Sequence, residues 1–481
     1  METLFAYLSL AVLLLLTVPT VLVLCRDGET VSIALVAAVT PAITFGILSV
    51  VMLWMGLLDF PFSAPGIFIV TVCLLMPGVY LYWKWRPRTI RPELNGWRIF
   101  ALVILGAVGM MILIDTALWP LFRDDALAIY QPQAAQIAQL GGLIRLQGQN
   151  TLYEAYPMLV QMNYGYVYLA SGWENDYLAK LAPAILATAC LPAAFQLGKR
   201  AGGETAGWLS ALLLALTPTY GSWATSGYTD LPMALYLTLA AVFGLRLWDH
   251  SRKTDALAMG LMLGFAAWTK NNALIAMPSF GLWMIILLWR RRIRLTHILI
   301  AAGAALLIAG TWYVRNLLEA NILIPPTAWT EQAERTIGAL LIFATLFGTY
   351  GITGWLIVLG VIDGGITLLR RRWAAAPQML LLLVCIPFFA GWWWFASYDE
   401  RFVLAILPML CVFAGGFTLR LWRFLPPTWR PTARWAAAAG VLALAGFILW
   451  NTLEYKDNLL RQPLMSDAER RQTVGREITP P

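Results

Sequence analysis

Apolar residues in this chain come in blocks of about 20, separated by short polar segments. Blocks of that length predict membrane-spanning helices near residues 3–25, 32–58, 66–84, 98–120, 177–197, 205–221, 231–248, 256–269, 273–290, 297–313, 345–369, 377–396, 402–419 and 434–451, about fourteen in all. The block at 256–269 is short, and the apolar run from 337 to 369 is longer than one span requires. The first block lacks a basic leading segment and a small-residue cleavage site, so it reads as a retained helix rather than a signal peptide. The pattern predicts an all-α, polytopic membrane protein.

Composition supports this and removes alternatives. Of 481 residues, 60% are hydrophobic and 12% charged, with a mean hydropathy of +0.69. A soluble domain carries roughly twice that share of charge. The two histidines, His250 and His297, exclude chemistry built on a His cluster. The five cysteines lie in apolar stretches and have no metal-site or disulfide spacing.

The formal net charge of +8 changes meaning once it is mapped onto the loops. Most of the Lys and Arg fall in one alternating set: Arg26, the Lys84–Arg98 segment, Lys199-Arg200, Arg246–Lys253, Arg290–Arg294, Arg370–Arg372 and Arg420–Arg434. Cytoplasmic loops carry this excess, so these loops are assigned to the cytoplasm. The charge is then topological, and no nucleic-acid partner is expected. The outward side holds the long loop 121–176, a second long segment at 314–336, the Ser397–Arg401 turn and the polar tail from 451. Long connections on one face commonly carry function.

The first outward loop opens Arg123-Asp124-Asp125 directly after a span, at the membrane–water boundary. Acidic residues there either complement a helix dipole or do chemistry, and position alone leaves both open. Leu127, Tyr130, Ala134 and Ile137 then recur at helical spacing, which predicts an amphipathic helix in the interfacial plane. Tyr153, Tyr156, Tyr164, Tyr166, Tyr168 and Trp173 follow, as an aromatic belt or as a platform for sugar rings.

The string Asp124-Asp125-Ala126-Leu127-Ala128-Ile129-Tyr130 resembles the first-loop acidic motif of the GT-C membrane glycosyltransferases, in particular the protein mannosyltransferase and aminoarabinose (lipid A) transferase group. Further matches follow in order: Tyr156-Pro157, Ala179–Ala184, Thr225–Pro232, Gly264–Lys270, Trp312–Asn316, and Tyr398–Phe402 with Pro408. Together they cover about residues 98–420. The resemblance implies a GT-C-like core over 98–420 containing the outward loop 121–176, preceded by additional helices over 1–97 and followed by a C-terminal helix and polar tail over 421–481. It also implies transfer of one sugar, with inversion, from a polyprenyl-phosphate carrier to a glycan, lipid or protein acceptor on the outer face. The protein would then sit as a multi-pass protein among membrane lipids, in the plasma membrane if bacterial, with its active site facing outside. The motif makes Asp124 the catalytic base and Asp125 its companion, where the family usually has Glu. Trp392-Trp393-Trp394 runs into Phe395-Ala396, so the Trp-Trp-Asp-Tyr-Gly motif of the oligosaccharyltransferase branch is missing and an oligosaccharide donor is not expected.

A sugar leaving a polyprenyl phosphate builds charge on that phosphate, which requires cations beside it and a base for the acceptor proton. Outward cations outside the tail are few: Arg123, Arg145, Lys180, Lys270, Arg315, Arg335 and Arg401. Lys270, Arg315 and Arg401 stand at helix ends where sidedness disfavours them. They read as snorkelling anchors or, taken together, as the donor phosphate site. Tyr130, Tyr228, Asp230, Asn271 and Tyr398 are the candidates for substrate contact, with helix capping as the plainer role for Asp230 and Asn271. The sequence identifies no cofactor, and a divalent cation on Asp124 and Asp125 stays open. The rival reading is a transporter or flippase, which calls for ionisable residues near the midplane; Asp115 is the one clear candidate.

Overall fold

The computed structural model describes residues 2–146, 151–324, 330–453 and 464–475. They form a helical bundle, and the exception among them is a parallel pair of three-residue strands, Thr30–Ser32 and Arg88–Ile90. Among the described residues, eleven helical stretches are long and apolar enough to cross a membrane by length and composition; one of these, Phe347–Phe395, holds two helices. The protein is an integral, multi-pass membrane protein. Two of the predicted blocks are not among these eleven. The 205–221 block breaks into Glu204–Ala215 and Pro218–Ala224, because a proline has no N–H to continue the first helix but suits the first turn of the second. The short block becomes Lys253–Thr269.

The helix Asp230–Asp249 runs through the centre of the bundle and is buried along almost its whole length. Asp176–Gly202 and Lys253–Thr269 pack on it. Lipid supplies no hydrophobic drive between spans, so close backbone approach at small residues matters. At Gly260 a Cβ would stand 2.2 Å from the Ala301 carbonyl oxygen of the helix Leu295–Ala320. The N-terminal helices are built into this bundle. Within Ile33–Leu57, Ser49 accepts from Trp268 Nε1 at 3.2 Å and the Ala42 carbonyl accepts from Tyr236 at 3.0 Å.

The long loop after the fourth span is folded back into the protein. A π-helical turn at Ala126–Tyr130 runs into Gln131–Leu140, with Ala134 and Ile137 buried as the spacing predicts. The tyrosines that follow correct the sequence reading. Tyr164, Tyr166 and Tyr168 lie on the buried helix Leu159–Ser171, where they are neither an interfacial belt nor a sugar platform. Tyr168 donates to Asp176 at 2.8 Å, so its polar tip is satisfied within the core. Part of the polar tail also docks. The short helix Asp467–Thr473 is held by Tyr177, which donates to Asp467 at 2.7 Å, and by an Arg471–Asp176 ion pair at 3.2 Å. The rest of the tail, over 454–463 and 476–481, lies outside the described residues.

At the end of Asp230–Asp249 remote from Asp230, Arg246 and Asp255 form a buried ion pair at 2.6 Å, and Arg246 donates to the Arg26 carbonyl at 3.0 Å. That pair fastens two central helices to the end of the first one.

The close approach at Gly260 generates a test. Gly260→Ala meets backbone atoms of Ala301 that cannot swing aside. The substitution should cost about 1–3 kcal/mol, as for other overpacked interiors, and lower the melting temperature of the detergent-purified protein. An unchanged melting curve would reject this helix contact.

Candidate active site

A cavity of about 320 Å³ opens at the end of the bundle where Asp230 begins its helix. Three chain segments deliver its charges. The first loop supplies Asp125, the break between Lys253–Thr269 and the helical turn Asn271–Ile275 supplies Lys270, and the helical turn Glu400–Ile406 with its cap supplies Arg401 and Asp399. Arg401 is the centre of the cluster. Its Nη1 lies 2.8 Å from Asp125 Oδ2, its Nη2 lies 3.0 Å from Asp399 Oδ2, and its Nε lies 3.7 Å from Asp230 Oδ2. The second oxygen of Asp230 accepts from Lys270 Nζ at 2.7 Å. Three carboxylates thus hold two cations, leaving the cluster one negative charge in excess when all are ionised.

Local backbone features fix this arrangement. Gly227 has φ +79°, and a Cβ there would stand 2.6 Å from a Leu121 methyl and 2.8 Å from the Tyr164 hydroxyl. Tyr164 donates to the Gly227 carbonyl at 2.7 Å. Only glycine suits both the conformation and the space, and the turn sets Tyr228 against the first loop. The Asp125 backbone N–H donates to the Tyr228 hydroxyl at 2.8 Å. Asp399 accepts from the Arg401 backbone N–H at 2.9 Å, so one carboxylate caps the turn and grips the guanidinium.

Aromatic rings surround the cations. The Arg401 guanidinium lies 4.7 Å from the Tyr228 ring centre, 4.9 Å from Phe402 and 5.3 Å from Trp223, and Lys270 lies 4.3 Å from Phe402. Such rings exclude water while still favouring a cation. Burial lowers the proton affinity of Lys270, and the Asp230 carboxylate works in the other direction. Burial and then the Asp125 carboxylate push the Tyr228 hydroxyl up to about 12, so it keeps its proton at neutral pH. Tyr130 is also pushed up, by burial first and Asp125 next, and its hydroxyl lies 3.3 Å from Thr229 Oγ1.

The sequence candidates separate into two groups. Asp125, Tyr130, Lys270, Tyr398 and Arg401 line the cavity, with Asp230 and Tyr228 directly behind them. Asp124 does not line it and is exposed, because adjacent residues in a helical turn point about 100° apart. Asn271 accepts from Tyr313 at 2.9 Å, while its neighbour Asn272 lines the cavity. Arg315 is not brought to this cavity. Its Nε donates to Glu319 at 3.0 Å, its Nη2 donates to the Ile144 carbonyl, and it lines a separate cavity with Glu154. The segment 153–157 divides the two cavities: Tyr153 and Tyr156 face the first and Glu154 the second. Trp312 and Asn316 pin that divider by donating to the Ala155 carbonyl at 3.1 and 2.8 Å. Tyr153 and Tyr156, offered by the sequence as belt or sugar platform, stack at the cavity, while Asp399 is a lining residue the sequence candidates did not include. The position of Asp399, two residues before a membrane-edge arginine, was the available signal.

Among the described residues, no group of three His, Cys, Asp or Glu side chains is spaced to hold a metal ion.

Residues 171–314 match the family model described as dolichyl-phosphate-mannose-protein mannosyltransferase. No curated protein matches the chain. Among solved structures, ArnT from Cupriavidus metallidurans bound to undecaprenyl phosphate superposes with a TM-score of 0.54 at 17% identity, covering 78% of this chain and 73% of that one. The Archaeoglobus fulgidus oligosaccharyltransferase in complex with Zn and sulfate superposes with a TM-score of 0.53 at 13% identity, covering 78% of this chain. The match spans 57% of that longer enzyme. The chain therefore carries the GT-C fold shared by these membrane glycosyltransferases.

Proposed function

We propose that the chain is an inverting glycosyltransferase that moves a monosaccharide from a polyprenyl-phosphate carrier to an acceptor hydroxyl on the outer face of the membrane. One observation carries this reading: Asp125, Lys270 and Arg401 meet at a single cavity at one end of the bundle. The family match and the undecaprenyl phosphate bound by ArnT add support. A transporter would instead concentrate ionisable groups near the midplane. The ends of the helices away from this cavity carry the basic loops, which is the basis for assigning the cavity to the outside.

In the proposed reaction the acceptor oxygen attacks the anomeric carbon as the bond from that carbon to the phosphate oxygen breaks. The acceptor proton passes to a carboxylate. The phosphate leaves with the lipid as a monoester bearing one more negative charge. Lys270 and Arg401 stabilise that charge, and Arg401 can present two donors to it. Donor phosphate competes with the carboxylates for Arg401 and so releases Asp125. Its carboxylate then lies beside the donor, free to accept the proton. Asp125 is accordingly the proposed base, with Asp124 at the rim contacting the acceptor. Since the carboxylates already bind Arg401 and Lys270, these cations are the proposed countercharge in place of a divalent ion. The Tyr153–Tyr156 pair offers a surface for the sugar or acceptor, and Ile275, Phe388, Trp392 and Phe395 offer an apolar wall for the first isoprene units.

Asp125→Asn keeps the shape and removes the base. It should reduce sugar transfer by about 10²–10⁴-fold, with Asp124→Asn within a few-fold of the parent. Both are to be assayed by turnover of a panel of polyprenyl-phosphate sugars, with and without a chelator. The opposite ranking would assign the base to Asp124, and full activity in both variants would end the enzyme reading.

Lys270→Met and Arg401→Lys should weaken donor use by about 2–5 kcal/mol, measured as the loss in kcat/KM for the donor. Arg315→Gln should leave donor KM near the parent value. A loss at Arg315 equal to that at Arg401 would contradict the assignment of the phosphate to the Asp125 cavity.

A further inference from the structure

A second basic cavity lies at the far end of the helix that carries Asp230. Asp230–Asp249 spans 20 residues, which places Asp249 roughly 30 Å from Asp230 along the axis. The cavity measures about 390 Å³ and is lined by Arg200, Trp248, Asp249, Arg290, Arg292 and Trp373, among others. Four segments converge on it: the ends of Asp176–Gly202 and Asp230–Asp249, the turn after Met277–Trp289, and the turn Arg372–Ala375.

Membrane sidedness accounts for basic residues in this loop, but it does not require them to converge. Here the guanidinium groups are held in place. Arg290 lies 4.7 Å from the Trp373 ring centre, and Arg292 lies 4.9 Å from Trp248. Trp248 itself stacks on Trp283 with centroids 5.7 Å apart. Arg200 pairs with Asp249 at 2.8 Å. Among the described residues, neither Arg290 nor Arg292 makes an ion pair, so the cavity holds three guanidinium groups against one carboxylate. Rings orient the two arginines and leave their N–H edges available, which is the arrangement that suits phosphate oxygens.

The surface beside the cavity identifies the source of that phosphate. Helix Met277–Trp289 exposes Leu282, Ile285 and Trp289 along its outer side, immediately next to Arg290. An acyl chain lying on this apolar stripe would bring its headgroup to the cavity mouth. We propose that the cavity binds the headgroup phosphate of an anionic phospholipid from the leaflet at the basic end of the bundle. Basic pockets between membrane helices on that side are suited to such headgroups. This site is independent of the Asp125 cavity and of the reaction proposed there.

The test uses the full chain, purified in detergent and stripped of lipid, with phosphatidylglycerol as the probe and binding read by native mass spectrometry. Phosphatidylglycerol should bind in preference to phosphatidylcholine. The double variant Arg290→Ala/Arg292→Ala should weaken its binding by about ten- to thirtyfold, the effect of two charge contacts near a membrane surface. The control Arg91→Ala/Arg434→Ala removes two exposed arginines from the same face and should stay within about twofold. If the pocket variant fails to fold, Trp373→Leu keeps both charges, removes the ring beneath Arg290, and should still weaken binding severalfold. Equal losses in the two double variants would mean diffuse surface attraction and would overturn the site. So would unchanged binding in the pocket variants, or displacement of the lipid by millimolar inorganic phosphate.

Discussion

The arrangement of the cavity end of the bundle depends on a buried arginine surrounded by more carboxylate than it needs. Arg401 is 8% exposed and faces Asp125, Asp399 and Asp230, and Asp230 is shared with Lys270. Taking such charges out of water is costly, and their mutual attraction offsets that cost only when the geometry is well satisfied. The cluster therefore draws together elements that are far apart in sequence: the first loop, the start of one helix, the end of another and a turn near residue 400. Breaking one contact leaves a charge without its partner in a low-dielectric site, so the cluster behaves as a unit.

The same excess of carboxylate links structure to chemistry. In the proposed reaction the donor phosphate competes with the groups already bound to Arg401 and Lys270, and the carboxylate it displaces is the proposed proton acceptor. The aromatic rings around the cations make that exchange local by keeping water away. The division made by residues 153–157 serves the same end. It separates Arg315 and Glu154 from the cluster, so the two cavities differ in electrostatic character although they are neighbours.

The opposite end of the bundle is organised by other means. There, arginines lie on tryptophan faces around a second cavity, and the Arg246–Asp255 pair anchors the central helices to the end of the first. The N-terminal helices contribute to the core through Ser49 and Ala42, and glycines such as Gly260 allow the spans to approach closely.

The sequence by itself determined the membrane-spanning elements, because bilayer thickness is written directly into the length of an apolar run. It also carries the basic loops from which the sidedness is proposed, and the ordered motifs that mark a GT-C fold. It picked out Lys270, Arg401 and Asp230, since charge at the edge of a span is costly wherever the span ends up. What it left undecided was direction and depth. Asp124 and Asp125 differ by one position, and only the docking of the 125 backbone onto Tyr228 decides which carboxylate enters the cavity. Arg315 stands at a helix end like Arg401, yet the pinned Ala155 segment puts it on the other side of a wall. Tyr164, Tyr166 and Tyr168 looked interfacial by composition and are buried, because their helix folds back against others. Each of these outcomes is set by contacts between residues far apart along the chain, and local pattern carries no record of them.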